Sequence, residues 1–229
     1  YIGLDQNFIM HLAVGTSFSI IIPTSIISTM SHMKFKAVDF TIVKTFGLFV
    51  ILGVILGTIF AANLKTTALI LFFSVITMFF AVFFLISKEK INPKQKEINL
   101  FFRIILGFSS GFLSAPMGIG GGLINAPILK MFGYSINTAI GSSAAIGFLI
   151  SLVGAMGFAI SGSYLNIEVP LSIGFVNIPA FLIFVPITML MAKIGARTVY
   201  KVNRKLVGKL FGIFLFLVSS RLFYEYFTI

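Results

Sequence analysis

Phe72-Phe73-Ser74-Val75-Ile76-Thr77-Met78-Phe79-Phe80-Ala81-Val82-Phe83-Phe84-Leu85-Ile86 is an unbroken apolar run in which only Ser74 and Thr77 carry a polar group. Extended back to Thr66 it reaches the twenty-odd residues that take an α-helix across a hydrocarbon layer of ~30 Å. A membrane β-strand would be about ten residues long and would alternate polar with apolar positions. This run does neither. Inside lipid every backbone N–H and C=O must find a partner within the segment itself, and a helix provides that.

The rest of the chain agrees. Of 229 residues, 58% are hydrophobic and 10% charged, with a mean hydropathy of +1.09, where soluble domains are about 25% charged. We read eight apolar segments: Ile9 to Met30, Val38 to Ala62, Thr66 to Ile86, Leu100 to Ser114, Gly121 to Phe132, Asn137 to Ile160, Val169 to Ala192 and Leu206 to Phe227. The fifth is too short to span unaided. The fold class is an all-α, polytopic transmembrane helix bundle.

The net charge of +11 is not the footprint of a nucleic-acid binder, because the basic residues lie between apolar blocks and not along one face. Fourteen of the 17 fall in three connectors, Ser31 to Thr45, Lys88 to Arg103 and Lys193 to Lys209. The positive-inside rule puts these in the cytoplasm, of a cell membrane by expectation, and the turns at Asn63 to Thr67 and Ser161 to Glu168 outside. Lys130 and Lys193 are expected to reach toward the cytoplasmic interface, and His32, within a basic connector, is expected to be solvated. The chain has no cysteine, which excludes disulfides, thiol redox centres and thiolate metal sites. Two histidines make no metal cluster, no nucleotide loop is present, and no cofactor is expected. Gly107-Phe108-Ser109-Ser110-Gly111 is only a loose likeness of a serine elbow, so we read no enzyme here.

Ala13-Val14-Gly15-Thr16-Ser17 recurs 126 residues later as Ala139-Ile140-Gly141-Ser142-Ser143, and Ser25 and Ser151 keep the same interval. The chain reads as a duplication. A basic connector follows the first copy and an acidic one, with Glu168, the second, so the copies are expected to lie in opposite orientation, as transporter repeats do. Residues 1–98 form a first repeat of three membrane segments, and residues 99–229 a second of five, one short or re-entrant. The same interval sets the counterpart of the glycine cluster at Gly118 to Gly122 ahead of residue 1. The expectation is that two segments, one with a second glycine-rich break, are missing from the amino end. A genuinely shortened protein is the alternative.

That cluster stands in Ala115-Pro116-Met117-Gly118-Ile119-Gly120-Gly121-Gly122-Leu123-Ile124-Asn125-Ala126-Pro127. Glycine costs about 1 and proline about 3 kcal/mol in a helix interior, so the helix is expected to break here. Broken backbone at membrane depth needs protein or a water-filled cavity around it. A half-helix starting near Gly121 would aim bare amides and a positive dipole end at such a cavity, suited to an anion. The alternative is that the glycines serve close helix packing. The substrate-binding candidates are Gly118, Gly120, Gly121, Gly122 and Asn125, with Gly15, Thr16, Ser17, Gly141, Ser142 and Ser143. The hydroxyls either bond an anion or return to a carbonyl one turn back. His11, an ionisable group in a membrane segment, is a candidate for proton coupling, or else a neutral group bonded to a neighbouring helix. Asn177, Pro179 and Pro186 suggest a kinked seventh segment.

Gly118-Ile119-Gly120-Gly121-Gly122 with Pro127, Gly133 and Ala139-x-Gly141-Ser142-Ser143 resembles the TauE/SafE sulfite exporter family. Ala13-x-Gly15-Thr16-Ser17, His32 and Asp39 resemble the matching half. The likeness covers nearly the whole chain and departs from the family pattern in the missing amino-terminal glycine-rich segment. It implies a secondary transporter, or permease, for sulfite, a sulfonate or a related sulfur-containing organic anion, usually moving it outward. The expected partners are a small anion and the lipid bilayer. The rival readings are a membrane-embedded enzyme subunit, an assembly factor without transport of its own, and a channel, for which no ring of like charges is present.

Overall fold

The computed structural model describes residues 6–86, 98–165, 169–202 and 204–228. After a 3-10 turn at Gln6–Phe8 come α1 (Ile9–Met33), α2 (Phe40–Ala62), α3 (Thr66–Ile86), α4 (Leu100–Met117), α5 (Gly122–Met131) and α6 (Ile136–Tyr164). A two-stranded hairpin, β1 (Ser172–Ile173) and β2 (Val176–Asn177), leads into α7 (Ile178–Val199), and α8 (Arg204–Thr228) closes the described chain. Seven of the helices are long and apolar enough to cross a bilayer; α5, at 10 residues, is not. The protein is an all-α, multi-pass integral membrane bundle.

Three helix pairs organise it: α2 lies along α4, α3 along α8, and α1 along α6, with α1 also against α7 and α6 against α2. Small residues let the backbones meet, as is usual where both helices are bathed in lipid. A Cβ added to Gly111 of α4 would strike the Val50 carbonyl of α2, and one on Gly53 the Phe108 carbonyl. The core gathers Phe18, Phe46, Val50, Val54, Ile146, Ile150 and Phe158. The outer surface carries Leu48, Leu56, Phe79, Leu182 and Leu217, all exposed. In water such a surface would aggregate, and in a membrane it meets acyl chains.

The seventh segment differs from its sequence reading. Val169 does not start a helix: residues 169–177 form a turn and the hairpin, and α7 begins at Ile178. Asn177 is not a kink residue but the N-cap of α7, its side chain accepting the Ala180 N–H at 3.0 Å, with Pro179 in the first turn, where its missing N–H costs nothing. Pro186 does lie inside the helix. His32 is likewise not solvated. It is buried at the end of α1, with Nδ1 2.7 Å from the Tyr200 hydroxyl, and Phe35 stacks on the Tyr200 ring at 4.1 Å between centroids. Basic neighbours in sequence had suggested water, but the end of α7 covers the ring. The expectations on Lys88 to Lys96 and on Glu168 lie outside the described residues.

Candidate functional site

The glycine cluster interrupts the chain between α4 and α5. Pro116 sits in the last turn of α4, Gly118 closes it in the left-handed conformation (φ 62°), and Gly121, also left-handed (φ 72°), is the N-cap of α5. Both are backbone states that an L-residue rarely adopts. The intervening residues run between α1 and α6: a Cβ on Gly120 would come 2.8 Å from Ile21 Cγ2, and one on Gly147 would strike the Gly120 carbonyl. The amides of Gly122 and Leu123, in the first turn of α5, find no backbone acceptor among the described residues. They are the bare N–H groups that every helix start leaves over.

A cavity of about 1000 Å³ lies beside this break. Gly120, Gly122 and Leu123 open onto it, as do Thr77 of α3 and Ser143 of α6. The hydroxyls of Thr77 and Ser143 are buried and find no hydrogen-bond partner among the described residues, and the same holds for the Ser114 hydroxyl and both side-chain polar atoms of Asn125. Buried polar groups are rarely left unpaired, because each costs about 1–3 kcal/mol.

The Gly-Thr-Ser and Gly-Ser-Ser triplets divide their labour. Thr16 Oγ1 accepts the backbone N–H of Asn177 at 2.9 Å, and Ser142 Oγ accepts that of Asp39 at the same 2.9 Å. Asn177 and Asp39 are the N-caps of α7 and α2. Gly15 and Gly141 make room for this: a Cβ on the first would strike the Phe175 carbonyl, and on the second the Ala37 carbonyl, each two residues ahead of its N-cap. The third hydroxyls part company. Ser17 donates to the Gly118 carbonyl at 2.8 Å, tying α1 to the break, while the hydroxyl of Ser143, a residue that lines the cavity, finds no partner among the described residues. Gly118, Gly120, Gly121, Gly122, Asn125, Ser17 and Ser143 therefore belong to or border the break, whereas Gly15, Thr16, Gly141 and Ser142 hold the starts of α7 and α2.

Those two cap contacts are what sequence reasoning missed. The interval of the triplets pointed to a shared role, but nothing local tells that each hydroxyl captures a helix start more than a hundred residues away.

His11 is fully buried near the beginning of α1. Its Nε2 lies 3.1 Å from the Ala61 carbonyl, which can only accept, so Nε2 carries the hydrogen, and the buried Nδ1 finds no hydrogen-bond partner among the described residues. Phe8 and Phe175 box the ring at 5.5 and 5.1 Å between centroids. Ser110 donates to the Gly107 carbonyl, and neither it nor His11 engages the other. Among the described residues no group of three metal-ligating side chains gathers.

Three probable membrane transporter proteins are similar along most of the chain. That of Haemophilus influenzae is 28% identical over 222 residues, covering 97% of this chain and 84% of the relative. That of Methanocaldococcus jannaschii is 28% identical, covering 94% and 78%, and one of Bacillus subtilis is 26% identical, covering 97% and 84%. No solved structure matches. The family model of the sulfite exporter TauE/SafE matches residues 2–222, nearly all of a bundle whose interrupted helix opens on a cavity. The chain is a member of the TauE/SafE family of membrane transporters.

Proposed function

We propose that this transporter carries a small anion, with sulfite, a sulfonate or another sulfur-containing organic anion as the substrate class, and that it does so by alternating access. The observation behind this reading is the start of α5: the amides of Gly122 and Leu123, without a backbone acceptor among the described residues, beside a cavity that Ser143 also lines. Oriented N–H groups at the positive end of a helix favour negative charge and need no cation. An anion there would accept from the two amides and from Ser143, while Gly118 and Gly121 hold the chain out of its way. The sulfur chemistry comes from the family, and from no residue of the site. Rocking of one group of helices against the other around the break would expose the anion to each side in turn. His11 remains the candidate for coupling to protons, its buried Nδ1 being the atom that would take one.

The test is uptake of labelled sulfite, sulfonates, carboxylates and chloride by purified protein in liposomes, with and without a pH gradient. A Cβ on Gly122 meets nothing within 4 Å, so Gly122→Ala should insert and fold normally while narrowing the anion's seat. Gly122→Ala and Ser143→Ala should each lower uptake at least tenfold. Undiminished uptake by both would overturn the assignment. His11→Gln should abolish the effect of the pH gradient; an unchanged gradient dependence would remove His11 from the coupling.

A further inference from the structure

The cavity beside the break has an axis. On α5 the residues that line it are Gly122, Ala126 and Lys130, with Leu123 and Pro127 next to the first two, and these share one face of the helix at the i, i+4, i+8 spacing. At a rise of about 1.5 Å per residue that face runs about 12 Å from the Gly122 amide to Lys130. The cavity is thus a trough along α5, with the amides at one end.

Its walls are largely apolar. They include Phe73 and Phe84 of α3 and Phe211 and Phe214 of α8, and Phe84 meets Phe211 edge to face at 5.4 Å between centroids. The polar side chains that line it are Thr77, Ser143, Lys130 and Lys209, and among the described residues no Asp or Glu does. Lys130 lies in the last turn of α5 and Lys209 in the second turn of α8. At about 1000 Å³ the trough is at the upper end of what drug-sized ligands fill. Sulfite is polar all round and would find hydrogen-bond donors at one end of it alone.

We infer that the substrate is an organic anion with a hydrocarbon substituent and without an ammonium group, its acidic head at the Gly122 and Leu123 amides and its tail along α5 among the phenylalanines. This rests on the anion seat proposed above and adds to it the nature of the rest of the molecule. The charge of the wall agrees, because two lysines with no carboxylate beside them favour an anion throughout the trough. Each methylene of the tail leaves water for apolar surface and gains affinity. An ammonium group in the tail would lose its water and meet no carboxylate in exchange. The ring faces would attract such a cation, and Lys130 and Lys209 oppose it.

The test is calorimetry on the protein in nanodiscs, with empty nanodiscs as the blank for partition into lipid. The probes are methanesulfonate, propanesulfonate, pentanesulfonate and 2-aminoethanesulfonate. Affinity should rise about fourfold for each added methylene, the equivalent of about 0.8 kcal/mol, and 2-aminoethanesulfonate should bind at least tenfold more weakly than propanesulfonate, which has its shape. Ala126→Phe, which sets a ring into the trough, should keep methanesulfonate and lose the gain from the tail. Phe214→Ser, at a wall position that is 58% exposed and so tolerant of change, should flatten the rise with chain length. Lys130→Gln combined with Lys209→Gln should weaken every alkanesulfonate by a similar factor and leave the rise intact. Pentanesulfonate bound no better than methanesulfonate overturns the inference and leaves the anion seat standing, and so does 2-aminoethanesulfonate bound as well as propanesulfonate. A full rise in both Ala126→Phe and Phe214→Ser also overturns it, because the tail then lies outside the trough. Binding of no sulfonate overturns the seat and the inference together.

Discussion

At Thr16 one hydroxyl oxygen decides how the start of a helix is held. The Asn177 N–H that it accepts lies at the N-cap of α7, where no carbonyl one turn back is available. Thr16→Val keeps the shape and removes the acceptor, so a part-buried N–H is left unpaired. The expected loss is about 1–3 kcal/mol, read as a lower unfolding midpoint in detergent, with Thr16→Ser restoring most of it. Equal midpoints for Thr16→Val and the parent would refute this role. Ser17, the next residue, presents the same chemistry and yet reaches the Gly118 carbonyl of the broken helix. The sequence marks both as polar positions in an apolar helix. Only their places around the helix turn, about 100° apart, send one to α7 and the other to the break.

At the scale of elements, α1 and α7 are joined at their C-terminal ends by His32 and Tyr200, and further in by the hydroxyls of Thr24 and Thr188, 2.8 Å apart. Burial raises the pKa of the Tyr200 phenol above its ordinary value. A raised folded-state pKa means that this group's contribution is complete below the unfolded value of about 10 and is lost as pH climbs through the folded one. The parent protein should therefore lose thermal stability above about pH 10. Tyr200→Phe should be less stable at neutral pH, for want of the bond to His32, but flatter across the alkaline range. A melting series from neutral to alkaline pH checks it, and parallel curves for the two proteins would show that Tyr200 does not report there. Helices such as α3 were legible to the residue, since Thr66–Ile86 is bounded by polar connectors. The start of α7 was not. Leu171, Ile173, Phe175 and Val176 are as apolar as a membrane helix, and the hairpin they form depends on Gly174 in a left-handed turn and on Gly162 of α6, which lets it approach.

For the whole molecule the basic connectors are expected to set orientation. With a cysteine-free chain, Lys36→Cys should react with a membrane-impermeant maleimide only from the cytoplasmic side and Tyr164→Cys only from outside; the reverse pattern would invert the topology. Hydropathy alone determined that this is a helical membrane protein and where most of its spans lie, and charge distribution gives the expectation of which loops face the cytoplasm. These follow from the free energy of each segment in lipid and of each charge at its surface, and neither needs a neighbouring helix. The glycine cluster also announced a break from backbone preferences alone. Which hydroxyls stay unpaired, that His32 is covered and that a cavity lies beside Gly122 were decided only by tertiary structure. Each depends on what another helix, far off in sequence, places against that residue, and a one-dimensional pattern does not contain that distance.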